Sequence, residues 1–149
     1  MRVVIIGARN RNDMKDTALV NSIIDECKTR YSNLIIVVAS CDKGVGRVVK
    51  DRNIDKHIPG KFEFDMIELQ MRHYLRQELP RSEFTAHWNA LNATLFELGD
   101  EFHLLTEEYP KGAVMDILRR IKSGHRRYAI YKPSETSGPK EAAFDKEGE

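Results

Sequence analysis

Cysteine is scarce. Cys27 and Cys41 are the only two in 149 residues, and no CxxC spacing joins them. That excludes a disulfide framework, and both read as buried or incidental thiols in a reducing compartment. Long apolar runs are missing too. Nothing approaches the roughly 18 residues that a bilayer span needs, and the apolar run in MRVVIIGARN is too short for a signal peptide. A cytoplasmic protein with no membrane contact is expected. There is no excess of one charge: 24 Lys and Arg against 23 Asp and Glu leave a net charge of +1. No global basic field is available to attract a polyanion. His57, His73, His87, His103 and His125 show no HxxxH spacing, and no cysteine pair joins them, so no metal is expected. His103 lies within an apolar run and reads as a satisfied core histidine. The P-loop GxxxxGK[ST], the dinucleotide GxGxxG and the nucleophile-elbow GxSxG are all absent, and no resident cofactor is expected.

What remains is a pattern of short apolar runs alternating with helical periods. RVVIIG at 2–7 and LIIVVA at 34–39 are continuous and β-branched, as in strands covered on both faces. Residues 16–31 place Leu19, Val20, Ile23, Ile24 and Cys27 at helical spacing, with Asp13 or Asp16 able to cap the start. GRVVKDRN opens a second helical stretch, and FEFDMIEL at 62–69 reads as a strand. Residues 82–98 place Phe84, Trp88, Leu91, Leu95 and Leu98 on one helical face, the pattern of core packing. EFHLLT at 101–106 and RRYAIY at 126–131 are strands. Between them, 110–124 is a helix with Pro near its start and Gly at its end. The tail from Pro133 lacks apolar periodicity and is expected to be disordered. The fold class is therefore α/β: one Rossmann-like domain over 1–132, a mainly parallel sheet flanked by helices.

Ligands of such sheets bind at the carboxyl ends of the strands. Three strand ends carry suitable residues. Gly7-Ala8-Arg9 permits a close approach, and the Arg9 guanidinium suits a phosphate or carboxylate; a tight turn with a solvated arginine is the plain alternative. Ser40 to Arg47 (SCDKGVGR) sets Gly44 and Gly46 at a helix mouth, where free N–H groups and the dipole favour an anion. Pro110-Lys111-Gly112-Ala113 opens the last helix, and Asp116 follows one turn in. There it can face a sugar, act as an acid or base, or merely balance the helix dipole. Two basic groups stand apart from these loops. Arg72, His73, Arg76 and Arg81 lie among Glu68, Glu78 and Glu83, the composition of a solvated face. Arg119, Arg120, Lys122, His125, Arg126 and Arg127 are denser, and keep nucleic acid as a possible but not favoured partner.

Taken together, these loops resemble the SLOG superfamily, the group named for the Smf/DNA-processing protein A and Lonely Guy proteins. Gly7-Ala8-Arg9 is similar to its Gly-Ser-Arg turn. Ser40-Cys41-Asp42-Lys43-Gly44-Val45-Gly46 is similar to its glycine-rich loop. Asn92 and Asp100 match its helix-to-strand passage, and Gly112 to Asp116 the end of its last loop. The resemblance covers roughly 3–132, with 54–82 unmatched. It implies a Rossmann-like domain that binds a nucleotide or nucleotide-derived ligand through Gly7, Ala8, Arg9, Ser40, Gly44, Gly46, Arg47, Asn92, Pro110, Gly112 and Ala113, as a sensor or sequestering protein. It also implies homo-oligomers. The alternative it offers is an N-glycosidic hydrolase or transferase acting on nucleoside monophosphates, with Asp116 and then Glu108 as the catalytic carboxylates. Leu91 in place of the family's arginine, and Ala113 and Asp116 in place of Thr and Glu, depart from the enzymes of the group. The third reading is a nucleic-acid or protein interaction module that keeps the fold alone.

Overall fold

In the computed structural model, residues 1–39, 44–54, 57–70, 81–133 and 141–143 are described, without the side chains of 81–84 and 141. The element order is β1 (Arg2–Gly7), α1 (Met14–Arg30), β2 (Ile35–Ala39), α2 (Val45–Asn53), β3 (Asp65–Leu69), α3 (Arg81–Leu98), β4 (Glu101–Leu105), α4 (Gly112–Gly124), β5 (Arg127–Tyr131) and β6 (Glu141–Ala143). One sheet takes the order β3-β2-β1-β4-β5-β6. Strands β1 to β5 pair in parallel, and β6 is antiparallel to β5.

The unbroken apolar runs follow from burial on both faces. Along β1, Val3 and Ile5 join the cluster beneath α1 and α2, while Val4 and Ile6 join the cluster beneath α3 and α4. The period-two alternation of a strand is present, but both phases are apolar because both faces are covered. From β1 the chain steps outward to β2 and β3 with helices on one face. It then returns to β4 and β5 with helices on the other, which keeps the crossovers of one hand. The direction reverses between β1 and β4. Their register, Val3 to Glu101 through Gly7 to Leu105, brings both strand ends to the same level.

Helix α1 settles the choice of cap. Asp13 is the N-cap, its side chain accepts from the Asp16 N–H, and Asp16 returns a bond to the Asp13 N–H. At the end of α4 the left-handed residue is His125, not Gly124. Gly124 is required for room instead, since a Cβ there would stand 2.6 Å from the Phe96 ring.

Two expectations shift. The third strand begins at Asp65 rather than 62, because Phe62 is taken by an isolated bridge to Ile54. The tail expected to be disordered from Pro133 supplies β6, whose Glu141–Ala143 backbone pairs with Tyr128–Ile130. This pairing is a backbone ladder that needs no apolar period. The basic stretch around Arg72, His73 and Arg76 lies outside the described residues, as does the Arg81 side chain.

Gly7 ties β1 to α2. An added Cβ would come within 2.6 Å of Val45 Cγ2 and 3.0 Å of the Leu105 carbonyl oxygen. Gly7→Ala should therefore lower unfolding free energy by about 1–3 kcal/mol, the usual cost of overpacking. Gly7→Ala combined with Val45→Ala should cost less than the sum of the two single changes. Urea midpoints of the four proteins check this; strict additivity would contradict the contact.

Candidate functional site

Because β1, β2 and β4 are parallel, the segments that follow them emerge at one rim of the sheet. The Gly7-Ala8-Arg9 turn, the Gly44 start of α2 and the Gly112 start of α4 all stand there. The Gly7–Val45 contact brings the first two against each other. Gly44 is the N-cap of α2 with φ 101°, and Gly112 has φ +61° with open space where a Cβ would be. Only glycine adopts both conformations without strain. Neither helix start has a side-chain cap. Their first N–H groups thus keep the anion-accepting character of a bare helix N-terminus.

Helix α1 differs. Its start is closed by the two carboxylates of the Asp13–Asp16 capping box. Arg11 closes it further. This guanidinium is 4 % exposed and donates from Nε to Asp16 Oδ1 at 2.8 Å. Its Nη1 donates to the carbonyls of Thr106 and Tyr131, both at 2.6 Å. It joins the ends of β4 and β5 to the start of α1. Dinucleotide folds hold a pyrophosphate at the helix that follows β1; here that position is occupied by anionic side chains and their own cation. Nearby, Thr106 Oγ1 is fully buried and has no hydrogen-bond partner among the described residues.

The sequence-expected residues divide. Gly7, Ala8, Gly44, Gly46, Pro110, Gly112 and Ala113 lie at or just below the rim. Arg9 is exposed there. Arg47 instead turns down its helix to Asp51, 3.1 Å away. Ser40 lies outside the described residues. Asn92 and Asp116, on different helices, meet: Asn92 Nδ2 donates to Asp116 Oδ2 at 3.0 Å, and Arg120 Nε approaches the same oxygen at 3.3 Å. The candidate carboxylate is thus held between α3 and α4, one turn below the rim. Glu108 is exposed in the loop ahead of α4, and Glu107 pairs with Lys111 at 3.2 Å. Within the second basic group, Arg120 serves Asp116 and Arg126 stacks over the Phe96 ring and donates to the Gly99 carbonyl. Arg127 lies 3.6 Å from buried Glu101. These three are committed inside the fold rather than arrayed as a basic face.

Sequence reasoning singled out Arg9 and passed over Arg11, which performs the structural work. A signal existed: two acidic residues follow Arg11 at 13 and 16. The buried polar cluster on the α1 face was likewise invisible to spacing. Glu101 and His103 point toward α1, with His103 Nε2 2.8 Å from Glu101 Oε2, Tyr31 donating to Oε1 at 2.6 Å, and Tyr131 Oη 2.8 Å from His103 Nδ1. Burial acts to raise the Glu101 carboxyl, but the hydrogen bonds of His103 and Tyr31 outweigh it and hold it at about 2. Burial, with the Glu101 charge, pushes the Cys27 thiol up to about 12.

A separate cleft of about 220 Å³ is lined by Arg52, Asn53, Lys61, Phe62 and Glu63. It lies beyond the far end of α2, opposite the rim. Arg52 is already committed there to Glu63, Asp25 and the Asn21 carbonyl.

Compared with protein-family models, curated proteins and solved structures, the chain finds no match.

Removing Arg11 would strand the largely buried Asp16 carboxylate and two strand-end carbonyls. Arg11→Met should cost about 3–5 kcal/mol, the range for a broken buried pair. Arg9→Ala should stay within about 0.5 kcal/mol, as expected of an exposed surface residue. Parallel guanidinium unfolding of the two variants checks this; equal losses would refute the division of roles.

Proposed function

We propose that this chain binds a nucleotide or nucleotide-derived ligand at the carboxyl rim of its sheet, across the β1–β4 crossover, as a sensor or sequestering protein. The observation that carries this is the contrast between helix starts. The start of α1 is filled by its own carboxylates, while α2 and α4 open on positive-φ glycines with no side-chain cap. The phosphate would sit at the start of α2, beside the Gly7 turn and within reach of Arg9. The base and sugar would lie toward Gly112. The filled α1 start favours a mononucleotide over a dinucleotide. In this reading the resemblance to the SLOG superfamily describes a cytoplasmic, self-associating relative of its ligand-binding members.

One observation favours a second reading. Asp116 is gripped by Asn92 and Arg120, an arrangement that could orient a carboxylate toward a sugar in an N-glycosidic hydrolase or transferase. The commitment of Arg120, Arg126 and Arg127 to intramolecular partners counts against the nucleic-acid module.

Thermal unfolding with a panel of nucleoside mono-, di- and triphosphates tests the proposal. A ligand at 100 times its Kd should add about 2.7 kcal/mol of stability, and Arg9→Ala should reduce the shift without changing the ligand-free melting temperature. Release of free base from a monophosphate would move the conclusion to the enzyme. No shift with any nucleotide would overturn the binding site.

A further inference from the structure

Three donors of different chemistry converge on the α1 face of the sheet: the Cys27 thiol, a Glu101 carboxylate oxygen and a His103 imidazole nitrogen. All are buried, and the three atoms lie within 4.8 Å of one another. We propose that this cluster is a binding site for a divalent transition-metal ion of the zinc class, held by Cys27 Sγ, Glu101 Oε2 and His103 Nε2. The site is independent of the rim, since Glu101 stands at the opposite end of β4.

The ligand set is the thiolate, imidazole and carboxylate mixture that zinc takes. The outer hydrogen bonds are arranged for it as well. Tyr31 occupies the far oxygen of Glu101, and Tyr131 occupies the far nitrogen of His103. Each ligand is therefore oriented from behind, and Oε2 and Nε2 are left facing the sulfur. Metal-bound histidines and carboxylates are held in this way by partners outside the first shell. Two of the three separations are close to those required, and the third, Nε2 to Sγ, is within 4.8 Å. Oε2 lies 2.8 Å from Nε2 and 3.9 Å from Sγ. Bond lengths of about 2.0–2.3 Å around a tetrahedral centre would set these at roughly 3.3 and 3.6 Å, so each changes by about half an ångström or less.

The added charge is small even beside the nearby arginines. Arg30 and Arg127 lie 3.8 and 3.6 Å from Glu101 Oε1. A divalent ion with one thiolate and one carboxylate is neutral as a unit, so binding adds only a single unit of positive charge to the pocket. On binding, the Cys27 thiol loses one proton to solvent and the sulfur takes the metal bond. With the metal on Nε2, the His103 ring keeps its proton on Nδ1, where it donates to the Tyr131 hydroxyl oxygen. No oxidant or reductant is involved.

The test titrates cobalt(II) alone into the chelator-stripped full chain and records thiolate-to-cobalt charge transfer in the near ultraviolet. One ion per chain should bind, one proton per ion should be released, and zinc should bleach the band. The band should persist in Cys41→Ser and vanish in Cys27→Ser, with circular dichroism confirming that both variants fold. Tyr131→Phe removes only an outer hydrogen bond and should weaken zinc binding about tenfold. This arm decides the matter if Cys27→Ser fails to fold. Absence of a band in the unaltered chain, its loss in Cys41→Ser, or an unchanged affinity in Tyr131→Phe would overturn the site. A nucleotide thermal shift that survives loss of the metal band separates this outcome from that of the rim.

Discussion

The Arg11 guanidinium is the contact on which the rim depends. Carbonyls at the ends of parallel strands have no further strand partner and must find donors elsewhere. Two of them, on Thr106 and Tyr131, face one planar cation that also meets Asp16. A guanidinium can serve three acceptors at once because its N–H groups diverge in a fixed plane; an ammonium has no such geometry. Burying a charge is expensive unless it is paired and hydrogen-bonded, and this one is both. The segment between β1 and α1 is thereby fixed over the ends of β4 and β5, whose contacted residues lie 95 and 120 positions further along the chain.

That fixation decides where a ligand can go. In an open α/β sheet the crossover crevice is common property of the fold, but which helix start receives the anion depends on local chemistry. Here the first helix start carries two carboxylates of its own, with Asp13 accepting from the Asp16 N–H and Asp16 from the Asp13 N–H. An incoming phosphate would meet like charge there. Among the described residues, the second and fourth helices have no acidic residue in their first turn and no side-chain cap, and Gly112 faces open space where a Cβ would stand. Gly7 serves this arrangement sterically, by letting α2 close against β1. Its role in the opening motif is thus packing between elements, beside any access for the proposed ligand.

The layers of the fold were legible in the sequence because burial on both faces writes a continuous apolar run, and helices between such runs must cover both sides. Strands β1 and β2 follow that rule closely and β5 does so after Arg127, whereas β4 buries the polar Glu101 and His103 on one face. Strand β3 blurred at its start, since Phe62 and Phe64 continue the apolar pattern although the ladder begins at Asp65. Strand β6 left no apolar trace, because it joins the edge through backbone bonds alone. The rim was legible as glycines at strand ends, whereas the division of labour between Arg9 and Arg11 was not. Both arginines follow the same strand, and only the fold brings the Thr106 and Tyr131 carbonyls to one of them. Asn92 entered through the family resemblance and Asp116 through its place one turn into the last helix; their direct bond is a property of how α3 lies on α4. Glu101 was read as part of a strand, and its cluster was hidden because Cys27 lies 74 residues earlier in the chain.

Both ends of α1 are tied to strands β4 and β5 by buried polar groups. At its N-terminus Arg11 and Asp16 engage the carboxyl ends of the two strands; at its C-terminus Cys27, Arg30 and Tyr31 surround Glu101 at their amino ends. Between these anchors the helix presents Val20, Ile23 and Ile24 to the sheet. Apolar contact alone would tolerate a slide or rotation of the helix, because dispersion and hydrophobic burial have little directionality. Hydrogen bonds to fixed carboxylates and carbonyls do not tolerate it. Two polar anchors separated by the length of β4 therefore set both the register and the tilt of α1. One anchor lies at the carboxyl ends of the strands and the other at the amino end of β4.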